Sequence, residues 1–237
     1  MEHGGLDHSF DRLDDLDTRG GPPILRASGE GFYFGAGTDS RKRWRANVFA
    51  YGNRDAEGAW ERNVEPGFHV QVSDRLQADV SVSYQLGRDV AQWIKNEDLD
   101  ADDAKEHIYG RLTRNVVNFT GRATYSFTRD MTLEAYLQPF VAAGDYSDIR
   151  KLALPRSFAF DPVAITDNPD FSNKSLRGTI VMRWEYLPGS TLFLVWNMAK
   201  SDDSRPGEFS AFRDLGAGFR APGSHVFVSK LSYWFTP

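Results

Sequence analysis

Residues 76–86, LQADVSVSYQL, alternate without a break. Leu76, Ala78, Val80, Val82, Tyr84 and Leu86 fall on one side, and Gln77, Asp79, Ser81, Ser83 and Gln85 on the other. Successive side chains of a strand point to opposite faces, so period two predicts a strand with one apolar and one polar face. The same pattern predicts strands over 31–38, 42–51, 60–72, 107–127, 131–141, 176–186, 191–198 and 225–235. Within them Trp44, Ala46 and Val48, then Val117, Phe119 and Tyr125, then Met131, Leu133 and Leu137, then Ile180, Met182 and Trp184 share the apolar side of their strands. Pro66 interrupts one strand, as proline is tolerated at bulges and edges.

The connections fall into two kinds. TDSRK (38–42), VSDR (72–75), FTRD (127–130) and LPGS (187–190) are short, and the connections between them are mostly longer and more polar. Short turns at one end and long loops at the other are the habit of outer-membrane barrels, with apolar residues facing lipid and polar residues facing a lumen. A Greek-key sandwich has no reason to keep that rhythm. The expected fold is therefore all-β, an antiparallel up-and-down transmembrane β-barrel. The short turns would be periplasmic, so the last strand descends and Pro237 lies on the periplasmic side. About nine strands are visible, whereas bacterial single-chain barrels have an even number. The first visible strand also descends and lacks an ascending partner. Residues 1–29 read as a flexible acidic lead-in ending in the GGPP breaker at 20–23, and 30–237 as the barrel segment. The expectation is the C-terminal part of a larger barrel.

Composition changes this picture little. Of 237 residues 41% are hydrophobic, mean hydropathy is -0.49 and net charge is -5. Bulk hydropathy suggests a soluble protein, but transmembrane strands need only about 10 residues each, half of them polar. The longest apolar runs, such as LFLVW (192–196), exclude a membrane-spanning helix. Aromatics make up 14%, as interfacial girdles or a sandwich core would require. The absence of cysteine removes thiolate chemistry and disulfides. The weak net acidity gives no case for nucleic acid. The start, MEHGGLDHSFDRLDDLD, has neither the basic nor the apolar region of a signal peptide, so an exported barrel is expected to have lost its leader here.

The last strand, HVFVSKLSYWF, sets Phe227, Leu231, Tyr233 and Phe235 on one face. An alternating aromatic C-terminal strand resembles the signal read by the barrel-assembly machinery; Thr236 and Pro237, which follow Phe235, depart from that pattern. The segments FYFGAGTDSRKRW (32–44), TYSFTRDMTLEAYLQPFVAAGDYSD (124–148), SLRGTIVMRWEYLPGSTLFLVW (175–196) and VFVSKLSYWF (226–235) resemble the C-terminal region of the DUF5916 family. The resemblance covers roughly residues 25–235. It implies a bacterial envelope protein with a family-9-type carbohydrate-binding-like domain followed by a large outer-membrane barrel. That domain and the early barrel strands would be absent from this chain.

No catalytic constellation emerges. His3, His8, His69, His107 and His225 show no metal-ligand spacing, and His69 falls on a polar strand face. The acidic run DRLDDLD (11–17) lacks calcium-loop spacing, and GAGTDS (35–40) lacks the third glycine and helix of a nucleotide loop. Glu61, Glu65, Asp79, Arg122, Glu134, Arg177, Arg183, Glu185 and Lys230 lie on predicted polar faces as candidate lumen-facing charges. Mixed charges there would pair across strands, fill the lumen or bias a pore. The loop 151–171, rich in apolar and aromatic residues, is expected to plug the lumen or bind a ligand at the surface. Residues 209–219, FSAFRDLGAGF, have helical spacing and predict a short amphipathic segment on the rim.

No cofactor, metal or enzymatic activity is expected. The expected partners are outer-membrane lipid, the barrel-assembly machinery, and a carbohydrate or other small solute. The expected role is solute passage, anchoring or surface binding in the bacterial outer membrane. The alternative is a soluble all-β carbohydrate-binding or glycoside-hydrolase-associated domain.

Overall fold

The computed structural model describes residues 2–39, 41–99 and 105–235. The strands are β1 (Glu2–Ser9), β2 (Arg12–Asp14), β3 (Ile24–Arg26), β4 (Gly29–Gly37), β5 (Trp44–Asp55), β6 (Trp60–Gln71) and β7 (Leu76–Glu97). They continue with β8 (Glu106–Ser126), β9 (Met131–Leu152), β10 (Phe160–Pro162), β11 (Phe171–Leu187), β12 (Ser190–Asp202) and β13 (Gly223–Ser232). One helix, α1 (Ala211–Arg220), precedes β13. The main sheet is antiparallel, in the order β1-β4-β5-β6-β7-β8-β9-β11-β12-β13, with β10 folded back on β9; β2 and β3 form a separate hairpin.

The apolar rows predicted strand by strand line up into one face. Phe34 pairs with Ala50, Ala50 with Val64, Val64 with Tyr84, Tyr84 with Val117 and Val117 with Val141. Further along, Leu137 pairs with Gly178, Gly178 with Met198 and Met198 with His225. The ladder tolerates its two prolines by leaving gaps. Glu65 and Pro66 have no register partner in β7, and Gln138 and Pro139 have none in β8. Proline has no N–H to give to a ladder, and each gap lies on the side where that N–H would have pointed.

The sheet is curled. A cavity of about 320 Å³ is lined both by Asp7 of β1 and by Asp89 and Arg114 of β7 and β8, strands far apart in sheet order. Asp7, Asp89 and Arg114 lie on the polar side, so the polar face is concave and the apolar face convex.

Four expectations change. Residues 2–9, expected within the lead-in, form a strand paired with β4 over its whole length. Alternation missed β1 because His3, Gly5 and Asp7 face Gly31–Gly35, and of Glu2, Gly4, Leu6 and His8 on the other side Leu6 alone is a large apolar residue. β1 supplies the ascending neighbour that the first predicted strand lacked. The sheet is not closed into a barrel: among the described residues β1 and β13 are unpaired on their outer sides. β7, β9 and β11 run well past their predicted ends, β7 to Glu97 and β9 to Leu152, whereas β8 keeps its predicted span to within a residue. Bulges between Asp89 and Gln92, Trp93 and Lys95, and Tyr109 and Arg111 break period two there and hide the strands from pattern reading. Finally, β13 stops at Ser232, so Tyr233 and Phe235 follow the strand instead of belonging to it.

The upper ends of β7–β9 carry a conventional core. Ile24, Ala91 and Tyr109 are buried, with Trp93, Leu152, Phe158 and Phe160 packed on them. Tyr109 and Phe160 meet edge to face with ring centroids 5.4 Å apart, and the Arg150 guanidinium lies 4.4 Å above the Phe160 ring. The loop expected as a plug or ligand site thus folds back on β9 and buries its aromatics against the segment 10–28. That segment is held by Arg26, which pairs with Asp17 and donates to Ala91 O, and by Leu25 N–H donating to Ser157 O. Asn96 Nδ2 donates to Thr18 O, and His107 Nδ1 meets Asn96 Oδ1 at 2.8 Å. A Cβ on Gly21 would fall 2.1 Å from the His107 ring, so the backbone lies directly on the imidazole.

Two outcomes test this packing. Burial lowers the His107 pKa, against the opposing pull of Glu106. The folded state therefore binds fewer protons than the undocked one below about pH 6.5, and docking of residues 10–28 weakens as pH falls through that value. The protection factors of amides in this segment should fall on acidification below about pH 6.5, and pH-independent protection factors in a His107→Gln variant would confirm the source. Tyr109 is fully buried with its hydroxyl unpaired among the described residues. Tyr109→Phe should leave the urea midpoint unchanged or raise it, whereas Tyr109→Ala should cost about 3–5 kcal/mol.

Candidate functional site: the polar concave face

All nine charges predicted on polar faces share the concave side of the sheet. The register puts Glu61 opposite Gly87, His69 opposite Asp79, and Asp79 opposite Arg122. Glu134 lies opposite Thr124 and Val181, Arg183 opposite Thr132 and Phe193, and Glu185 opposite Thr191. Arg177 pairs with Gln138 and Ala199, Glu65 with Phe49, and Lys230 with Phe193.

The structure brings some of them together. Arg114 Nη2 donates to Glu61 Oε2 at 2.6 Å, reaching from β8 to β6 across Gly87 of β7. A Cβ on Gly87 would sit 3.3 Å from Trp60 O, so glycine keeps this crossing open. Tyr51 OH donates to Glu61 Oε1 at 2.6 Å, and Gln85 Nε2 reaches Tyr51 OH at 3.4 Å. This chain of groups ties β5, β6, β7 and β8 together over the concave side. Lower down, His69 Nδ1 meets Asp79 Oδ1 at 2.7 Å, and the Arg122 guanidinium lies 5.3 Å from the Tyr136 ring centroid. Arg183 pairs with Glu185 at 3.0 Å along β11. Glu65, Glu134, Arg177 and Lys230 have no ion pair among the described residues. Neutral pairs fill the spaces between: Ser83 donates to Asn63 at 2.9 Å, and Gln138 to Asn118 at 3.0 Å.

Above this layer, beyond Leu86, Asp89 faces the cavity that Arg114, Asp55 and Asp7 share. Burial pushes its carboxyl pKa up, and Arg114 works against that shift. Sequence reasoning missed Tyr51, Asp89 and Arg114. Tyr51 and Arg114 alternate in step with polar residues of their strands, a signal that was present. Their partners depend on register across an intervening strand, which alternation does not carry.

The candidate assembly-signal residues divide. Phe227 and Leu231 stand on the convex side of β13, 77% and 67% exposed. Tyr233 and Phe235 are exposed beyond its end, their rings stacked with centroids 6.3 Å apart. A second concavity, of about 570 Å³, lies at the loop end and is lined by Leu6, Phe32 and Trp60 with Glu30, Arg54 and Arg62. There Arg54 pairs with Glu30 at 3.2 Å and the Arg62 guanidinium lies 5.4 Å from the Trp60 ring centroid.

A curled antiparallel meander with a polar inner face and an apolar outer face defines the class of this protein by its fold. Residues 20–236 match the family described as Domain of unknown function (DUF5916), and the chain belongs to that family. No curated protein matches it.

Arg114 is the cation on which the concave ladder turns. Arg114→Met leaves Glu61 with Tyr51 alone and should lower stability by about 1–3 kcal/mol. The Arg114→Met, Glu61→Gln double variant should recover much of that loss, a coupling that a double-mutant cycle in urea would read.

Proposed function

We propose that this sheet is the wall of an integral β-barrel in the bacterial outer membrane, with the convex face against lipid and the concave face toward a lumen. The observation that carries this is the inversion of the two faces. Leu6, Phe32, Phe34, Trp44, Val64, Phe68, Val80, Trp184, Leu194, Phe227 and Leu231 all stand exposed on the convex side. Charged and amide groups line the concave side and bond to one another. Soluble monomers rarely expose an apolar patch beyond a few hundred Å², and a face of this extent in water would drive association.

The dimensions agree. Residues 76–86 rise about 34 Å along the strand at ~3.4 Å per residue, or roughly 26 Å across a bilayer at the usual tilt of about 40°. That matches the ~25 Å apolar band of outer-membrane barrels. Most connections at the end of β5, β7, β9 and β12 away from the tight turns are long, and that end is the outer one in this reading. The exposed C-terminal segment with Phe227, Leu231, Tyr233 and Phe235 is the part offered to the barrel-assembly machinery. The concave ladder of Glu61, Arg114 and Tyr51 fills the lumen and sets the polarity met by a solute.

The Trp60 and Phe32 concavity favours a second reading, a soluble carbohydrate-binding domain. Aromatic faces beside Arg54, Glu30 and Arg62 offer both stacking and hydrogen bonds to a sugar.

Detergent dependence separates the two. Refolded into micelles, the chain should give a β spectrum and an unboiled band that shifts on boiling in a denaturing gel. A monodisperse particle in plain buffer would sink the membrane reading and promote the soluble one.

A further inference from the structure

α1 is inside out for a soluble protein. Its buried residues are Asp214 and Gly218, while Phe212 is 92% and Phe219 46% exposed. An amphipathic helix on a water-facing surface turns its aromatics toward the sheet and its charges away. Here Asp214 is buried, accepting from Ser210 N–H at 2.6 Å and from Arg213 Nε at 2.8 Å within the helix's own first turn. Beside it the buried Lys174 bonds Asp202 at 2.9 Å and Ser204 O.

The position of α1 is equally specific. It packs on the convex face across β9, β11 and β12, and ten residues at about 1.5 Å each match the width of three strands. Its axis therefore runs across the strands and lies flat along any bilayer they cross. The height is set by Gly218, whose added Cβ would sit 3.7 Å from Ser175 O, and by Phe219 O accepting from Lys200 Nζ at 2.9 Å. Leu176, next to Ser175, is the uppermost residue of the apolar row of β11. The approach to α1 is pinned by Phe209, stacked on Tyr84 with centroids 6.3 Å apart.

The hand of the sheet then fixes which way the phenylalanines turn. Gln71, a concave-side residue of the descending β6, donates its N–H to Arg43 O on the β5 side. For L-residues this means that successive strands run from right to left when viewed from the convex side with the long loops upward. α1 runs the same way, from Phe209 near β7 to Phe219 near β12. With Asp214 and Gly218 against the sheet, a right-handed progression of about 100° per residue turns Phe212 and Phe219 together downward, toward the apolar band.

We propose that α1 is an interfacial anchor, lying at the headgroup–acyl boundary of the leaflet on the long-loop side, with Phe212 and Phe219 inserted among the lipids. The proposal rests on the membrane-spanning reading of the sheet and adds to it a second contact with the bilayer. The chain has no cysteine, so single thiols report cleanly. Phe212→Cys, Ala217→Cys on the opposite flank, and Leu194→Cys in the middle of the apolar band would each carry an environment-sensitive nitrobenzoxadiazole label. The full chain would be reconstituted in phosphatidylcholine vesicles brominated at shallow or deep acyl positions. The label at 212 should be quenched about twofold or more better by shallow than by deep bromines, the label at 194 preferentially by deep ones, and the label at 217 weakly by either. Deep quenching at 194 with none at 212 would overturn the anchor and leave the spanning sheet standing. Quenching at neither site would overturn both. Quenching at 212 without 194 would refute the spanning sheet and, with it, the rim position of α1. Because Phe212 makes almost no contact with the protein, its replacement should not affect folding.

Discussion

The constraint on which this structure depends is the parity of its strand register. A shift of one residue in any ladder would carry every side chain beyond it to the opposite face. Here every pairing from β1 to β13 keeps the apolar rows together, through two prolines and through strands of very different length. Curling adds the second condition. On the inner side of the curve Arg114 of β8 reaches Glu61 of β6, and Tyr51 of β5 bonds the same carboxylate. Parity gives the sheet two chemically distinct surfaces, and curvature turns one of them into an interior.

Above Leu86 the rules change. The ladders of β7, β8 and β9 continue, but bulges disturb the alternation and the faces are no longer sorted by polarity. Stability there comes from ordinary burial, with Ile24, Ala91 and Tyr109 at the centre. The molecule thus joins two regimes along the same strands: a lower part organised by its two surfaces and an upper part organised by a core. Asp89 and Arg114 mark the junction, where the polar ladder meets the covered end.

What the sequence made legible follows this division. The lower strands, their tight turns and the side taken by each of the nine charges could be read from period two, and the helix over 211–220 from the spacing of Phe209, Phe212 and Leu215. The upper extensions could not, because a bulge reverses the meaning of odd and even. β1 was hidden because Glu2, Gly4 and His8 hold three of the four places where apolar residues would have signalled a strand. Which charges meet was also illegible. The Arg114–Glu61 contact spans a strand whose only contribution at that point is the missing side chain of Gly87. The closed barrel was an inference from rhythm and parity, and the architecture established is the open antiparallel meander.

The docking of residues 10–28 has a consequence for the order in which the chain can take shape. Within the meander each strand finds its partner among its neighbours in sequence, so pairing proceeds through small loops whose closure entropy grows only slowly with length. The contact from Leu25 to Ser157 is different, since it waits for the connection between β9 and β10, more than half the chain away. A segment that lies close to the beginning of the sequence is therefore among the last to settle, and the mouth of the sheet stays uncovered until β9 and β10 are in place.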